Sequence, residues 1–427
     1  MAETLTAEDS RYREMFDMAR EAASFGDVVL GDVVEQMCVL RDQAPVMKGS
    51  LHELLAIKSN HASFDRPREH YTFLSFEFCD RAFRDNQLFS SEAYKESPGV
   101  RSLGNVILAM IGEEHRRYRG AVQPMFLRRK AMTWWQQNWI DEAVEALLER
   151  FNGRAAADLN EELCARLPVH VVTRGIGMSG DDALTFREQL MRGTVGSRGL
   201  SIAEKTHALG EVNRMLKALI VARRAQPGDD VVSGLIQCEL QLPDGSSGTL
   251  TDEEIFAYCR LIMLAGGGTT WRQLGITLDA LLTNYHFWEA CRDDRRLLEP
   301  AIEESLRWRP TDPTFPRLIT QDIEIGGVAI PAGARVDLCL GAANRDPTRW
   351  DNPNVYDLFR PAKYHLGFGV GPHLCLGMNV ARQEMITALN GLMDRFPKMH
   401  LDPNAPAPQV VGGLEQRGVS AVPVRFR

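Results

Sequence analysis

The sequence predicts a helical fold that carries small β elements, and three stretches predict it. Thr251-Asp252-Glu253-Glu254 has the form of a capping box, and the helical pattern behind it runs to about Leu282. At 1.5 Å per residue that is about 48 Å of helix. A second helical pattern follows Cys375, where Leu376, Val380, Ile386, Leu389, Leu392 and Met393 recur at roughly helical spacing. Between the two, Asp322 to Gly333 alternates apolar residues around Gly326-Gly327, the pattern of a β-hairpin.

Composition narrows the function classes. The chain has 427 residues, a length that alone suggests two or three domains. Hydrophobic residues make up 44%, enough for a sizeable core, and the net charge of −8 gives no global reason to expect nucleic-acid binding. The eight cysteines show no CxxC pairing and no regular spacing, so reduced thiols in a cytoplasmic protein are expected. Met1-Ala2-Glu3-Thr4 opens a polar stretch without the basic and apolar regions of a secretion signal. No run of about 18 apolar residues is present, so no transmembrane helix is expected.

One cysteine stands out by its frame. Cys375 lies in Phe368-Gly369-Val370-Gly371-Pro372-His373-Leu374-Cys375-Leu376-Gly377, with an aromatic before it and a helix behind it. Gly371 and Gly377 can adopt backbone geometries closed to other residues and leave room for a large flat group. At a helix N-terminus, the dipole and free N–H groups favour a thiolate. A thiolate is one of the few protein ligands for haem iron, and it favours O–O cleavage.

This run resembles the haem-binding signature of the cytochrome P-450 family, F-x-x-G-x-[HR]-x-C-x-G, with Phe368, Gly371, His373, Cys375 and Gly377 at its fixed positions. The resemblance implies one domain over 1–427, mainly α with small β-sheets (α+β), in which a long central helix lies over a buried haem. It implies Cys375 as the iron ligand. It runs from about Thr251 to Arg382 without a gap, and more loosely from Tyr71 to the C-terminus.

Within the long helix, Ala265-Gly266-Gly267-Gly268-Thr269-Thr270 resembles the family's oxygen-binding stretch, A-G-x-[DE]-T-[TS]. Ala265 and Gly266 are expected to border the haem, and Gly268, Thr269 and Thr270 the oxygen site. The acidic position holds Gly268 instead, so Thr269 supplies its hydroxyl without a carboxylate neighbour. The next carboxylate along the helix, Asp279, is about 15 Å away. Three glycines cost about 1 kcal/mol each inside a helix, and a local opening of the helix over a ligand is expected to offset them. Close helix packing through small residues is the alternative.

Glu304-Ser305-Leu306-Arg307 places an acid and a base three apart on one helix face. In its place before the cysteine it resembles the family's structural pair, with Arg360 of Phe359-Arg360-Pro361 as third member. The resemblance also implies partners for the two haem propionates. These are His115 and Arg119, four apart in His115-Arg116-Arg117-Tyr118-Arg119, together with Arg317 and His373.

By position in the family, substrate contacts are expected from Leu103 and Val106, from Met263, from Thr314 and Phe315, and from Gly412 and Gly413. They describe a mainly apolar pocket for a small hydrophobic substrate. Arg116, Arg128, Arg129 and Lys130 are expected to form a basic patch for an acidic electron donor.

The function these residues imply is a haem b monooxygenase that uses O2. Electrons would come from NAD(P)H through a ferredoxin or flavodoxin with its reductase, and a monomer is the family default. Hydroxylation, demethylation and epoxidation all fit. A peroxide-driven oxygenase and a non-catalytic haem sensor are the competing classes.

Overall fold

In a computed structural model, the structure describes residues 17, 29, 31–57, 67–178, 181–194 and 200–427. The polar start of the chain, Met1 to Thr4, lies outside them.

The long helix spans Asp252–Thr283, 32 residues, one residue past the sequence reading at its C-terminal end. Its capping box is formed in full. Thr251 Oγ1 accepts from the Glu254 N–H at 3.3 Å, and Glu254 Oε2 accepts from the Thr251 N–H at 2.7 Å. From Thr270 to Leu282 every residue is buried, the mark of a helix at the centre of a core. Asp279 is spent on structure there. It pairs with Arg309 at 3.5 Å and accepts from Thr283 Oγ1 at 3.1 Å.

The expected opening of this helix at its glycines does not occur. The helix runs unbroken through Gly266, Gly267 and Gly268. The missing side chains are explained by close neighbours. A Cβ on Gly266 would stand 2.9 Å from Val172 Cγ2, on the helix Leu167–Ile176 that packs across this face. Tight packing therefore replaces the opening.

The principal sheet has five strands in the order Val46–Lys48, His70–Phe73, Arg335–Cys339, Thr314–Ile319, Phe89–Ser90. The central pair is antiparallel and sets Phe315 opposite Leu338 and Arg317 opposite Val336. The hairpin forms as read, Ile323–Ile325 against Val328–Ile330. Its two-residue turn has Gly326 at φ 57° and Gly327 at φ 74°, a conformation that favours glycine.

The helix Leu298–Trp308 carries the acid–base pair as expected. Glu304 grips Arg307 through two hydrogen bonds of 2.7 Å, and Arg360 Nε reaches Glu304 Oε1 at 3.0 Å. Arg307 also donates to the carbonyls of Asn344, Pro353 and Val355. These bonds satisfy the donors of a buried cation and tie the helix to the segment that leads into the Cys375 loop.

A neighbouring clamp was not legible in the sequence. Glu303 receives Arg382 at 2.7 Å and lies 3.2 Å from His365 Nε2. Burial pushes the Glu303 carboxyl up, but hydrogen bonds from His365 and Arg382 outweigh it and hold it at about 2. The helix Met378–Arg395 is thereby fixed to the Glu303 helix on the far side of the loop. Among the described residues no helix is long and apolar enough to cross a membrane.

Candidate active site

The Cys375 loop is shaped by backbone contacts. Gly369 and Gly371 both have positive φ, 67° and 73°. A Cβ on Gly371 would meet Phe83 O at 2.7 Å, so this glycine is required by close approach as well as by conformation. The Leu374 N–H donates to Gly371 O at 3.0 Å, and the Cys375 N–H to Phe368 O at 2.9 Å. Cys375 then stands three residues before the helix Met378–Arg395, which Gly377 caps.

Cys375 has open surface, yet it lies deep in the protein, because that surface faces an internal cavity. Burial pushes the thiol up, while the Gly377 N–H and the charge of Arg119 act in the opposite direction. Gly377 has open space where a Cβ would be. The cavity measures about 1160 Å³. That exceeds the roughly 300–1,000 Å³ of ordinary small-molecule sites, and it leaves room for a cofactor and a substrate together.

All four expected propionate partners reach this cavity. His115 is 2% exposed, its ring lies 4.1 Å from that of His373, and its Nε2 is buried without a hydrogen-bond partner. His373 Nε2 is 3.0 Å from Ser91 Oγ. Burial first, then neighbouring positive groups, lower His115 to about 4 and His373 to about 3. Arg119 donates to Leu374 O at 2.6 Å. Arg317 stacks over Phe83 at 5.0 Å, and its buried Nε also lacks a partner. Orphaned donors next to cationic groups fit a dianionic edge, and a thiol opposite them fits iron. The residues present therefore fit haem.

On the other wall, Ala265, Gly266, Gly268, Thr269 and Thr270 line the cavity. Thr269 donates its hydroxyl to Ala265 O at 2.8 Å, which leaves the oxygen as an acceptor. Arg272 Nη1 donates to Gly268 O at 2.9 Å. Glu384 also borders the cavity. It is 2% exposed, its Oε2 lacks a hydrogen-bond partner, and burial pushes its carboxyl well above the usual range.

The substrate expectations divide. Leu103, Thr314, Phe315 and Gly413 line the cavity, and Thr314 Oγ1 donates to Leu414 O at 3.1 Å. Val106 and Met263 do not: at 2% and 0% exposed they pack into the main core. Gly412 is not in the wall either. It belongs to the strand pair Val410–Gly412 and Arg417–Val419, with φ 133°, so its role is in the turn.

The basic patch is also reduced. Arg116 pairs with Glu113, and Arg128 with Glu299 through two contacts of 2.9 Å. Sequence reasoning did not anticipate Arg187, Arg272, Gln273 or Glu384 in the cavity wall. Arg272 gave a signal, a cation inside the apolar stretch that follows the glycines; Arg187 gave none.

Comparison with known proteins agrees with this geometry. A family model described as Cytochrome P450 matches residues 200–411. Cytochrome P450 105C1 of a Streptomyces species is 32% identical, over 81% of this chain and 86% of its own. The 6-deoxyerythronolide B hydroxylase of Saccharopolyspora erythraea is 30% identical, over 73% and 76%. Among solved structures, the Bacillus subtilis cytochrome P450 PksS superposes with a TM-score of 0.80 at 25% identity, covering 92% of this chain and 97% of that one. P450BioI in complex with an acyl carrier protein superposes at 0.78, with 26% identity and coverage of 93% and 99%.

Proposed function

The chain belongs to the cytochrome P450 family and is an oxidoreductase, and from that premise we propose that it is an O2-dependent monooxygenase of a small, mainly apolar substrate. The observation that carries this reading is the opening of Cys375 into the same cavity as Thr269. Haem bound on a cysteine thiolate supplies O2 binding and O–O cleavage.

The chain's own residues divide the remaining work. Cys375 would hold the haem iron through its thiolate, and the Gly377 N–H and Arg119 favour that charged form. His115, His373, Arg119 and Arg317, which line the same cavity, would hold the propionates. Thr269, as an acceptor, orients a proton-bearing water or substrate hydroxyl next to the oxygen site. Leu103 and Phe315 exclude bulk water from the substrate side. Electrons arrive from NAD(P)H through a separate ferredoxin or flavodoxin with its reductase, and the protein acts as a cytoplasmic monomer.

Gly268 favours one second reading, since the helix has no acid at that position: a peroxide-driven oxygenase. The absorbance of the reduced, carbon-monoxide-bound protein tests the ligand, through the red-shifted Soret band of a thiolate-bound haem. Absence of that band in folded, haem-replete protein removes Cys375 from the iron. Product yield with NAD(P)H and redox partners against yield with peroxide alone then separates the two readings.

A further inference from the structure

We propose that Trp135, Trp139 and Trp134 form an outlet for oxidising equivalents. Through it, a haem oxidised by peroxide with no substrate in place draws electrons from a small one-electron donor, an enediol or a phenol, at the protein surface. This rests on the reading that the cavity holds haem on Cys375.

The three rings are in mutual contact. Their centroids stand 5.7 Å apart for Trp134 and Trp135, 5.0 Å for Trp135 and Trp139, and 4.8 Å for Trp134 and Trp139, all edge to face. They share a π-helix, Ala131–Ile140, a form otherwise seen mostly as single turns, frequently at functional sites. Its wide turn brings residues four and five apart together, so Trp139 touches both partners. The inner end is Trp135, 1% exposed, which with Phe126 lines the cavity that Cys375 opens into. The Phe126 ring lies 5.4 Å from that of Trp135. Its carbonyl accepts from Asn379 Nδ2 at 3.0 Å, in the first turn of the helix behind Cys375. Gly175 keeps the seat of the inner indole open: a Cβ there would lie 2.6 Å from Trp135 Cζ3. The outer end is Trp134, half-buried and so in touch with solvent.

Hydrogen bonds give the chain of rings a direction. Trp135 Nε1 donates to Met125 O at 2.9 Å, and a peptide carbonyl does not take the proton away. Trp134 Nε1 donates to Asp229 Oδ1 at 2.7 Å, a carboxylate that can take it. Asn138 Nδ2 holds the other oxygen, Asp229 Oδ2, at 2.9 Å. Lys130 stands over the Trp134 ring at 5.3 Å, and its charge disfavours a second cation there, so it favours the deprotonated, neutral radical. Trp135 gives one electron to the oxidised haem and becomes a radical cation. Trp134, directly or through Trp139, returns that electron. The Trp134 radical cation then passes its Nε1 proton to Asp229, which fixes the oxidising equivalent at the outer ring. One electron from the donor and the proton held on Asp229 restore the indole. The donor releases its own proton to water, and the net transfer is one electron from donor to haem.

The test mixes the haem-loaded protein with hydrogen peroxide in the absence of substrate. Samples are frozen for electron paramagnetic resonance, and visible spectra are taken in parallel. The wild type is expected to give a tryptophan radical that ascorbate, an enediol, discharges. Trp135→Phe loses that signal. In Trp134→Phe a radical still forms on the inner rings, but ascorbate no longer discharges it. With ascorbate present, the haem of both variants bleaches about threefold or more faster than that of the wild type. Asp229→Asn, at an exposed position, delays the neutral radical behind a cation radical, a readout that survives if the tryptophan variants fail to fold. No tryptophan radical in the wild type, a tyrosine radical alone included, overturns the proposal. So does an unchanged signal in Trp135→Phe, equal bleaching in the wild type and both tryptophan variants, or an Asp229→Asn protein whose radical forms as in the wild type. Failure of the haem reading is seen separately, as absence of the thiolate Soret band in the carbon-monoxide complex.

Discussion

Cys375 shows how one side chain can be decisive for chemistry and marginal for stability. Its sulfur faces open cavity, so truncation removes few packing contacts. Cys375→Ala is therefore expected to abolish the thiolate Soret band and oxygenase activity while lowering the melting temperature of the apoprotein by no more than about 1 °C, the equivalent of roughly 1 kcal/mol for a chain of this length. Retained activity in that variant would remove Cys375 from the reaction. The two histidines give a pH signature. Their folded values, about 4 and about 3, lie below the ordinary histidine value of 6.5. As pH falls below 6.5 the unfolded chain takes up protons first, so apoprotein stability is full above that value and is lost toward pH 4 and then 3. Haem propionates next to the rings would stabilise the charged imidazoles and remove much of that loss. The gap in guanidinium midpoint between haem-loaded and apo protein is expected to widen from pH 7 to pH 5. A constant gap would mean that the histidines do not face the carboxylates.

At the scale of the element, the helix Met378–Arg395 carries an uncompensated acid into the core. Glu384 has its carboxyl raised by burial, so the folded state favours the protonated form. Stability from that preference is present below the unfolded value near 4.5 and is lost as pH rises through the folded one. Glu384→Gln keeps the shape and removes the titration. The variant is expected to match the wild type at pH 4 and to exceed its melting temperature increasingly toward pH 8. A variant less stable than the wild type at pH 8 would show that the carboxylate makes a compensating contact. The long helix teaches a related lesson. Its glycines serve side chains from other turns and other helices, and a glycine run in a helix is as much a packing device as a hinge.

Across the whole molecule, one buried and one half-buried ion-pair cluster fasten the Cys375 loop to its supports. Glu304 joins Arg307 and Arg360, and Glu303 joins Arg382 and His365. Removing one partner of a buried pair leaves an uncompensated charge and costs about 3–5 kcal/mol. Glu304→Ala strands two guanidinium groups at once and is expected to cost at least that much in denaturant unfolding, with haem lost at a lower denaturant concentration. An unfolding free energy within 1 kcal/mol of wild type would show that the cluster is solvated rather than structural. Both clusters lie outside the cavity lining, so their effect on turnover runs through cofactor retention.

The sequence by itself determined the parts that depend on local chemistry. The capping box at Thr251, the glycine turn at Gly326-Gly327, the Glu304–Arg307 pair and the framed Cys375 are each written within a few residues, so a linear reading found them. The two histidines and two arginines that share the cavity with Cys375 were also legible, because their order resembles a known pattern. The tertiary structure decided what depends on contacts across the chain. Val106 and Met263 turn into the core, because an apolar side chain is equally suited to a cavity wall and to packing. Arg187 reaches Gly267 from a helix about eighty residues earlier, and no local pattern encodes that approach. What stands beside Gly268 was likewise decided by the fold: the sequence shows a missing acid there, and the Arg272 side chain folds back along the helix against it.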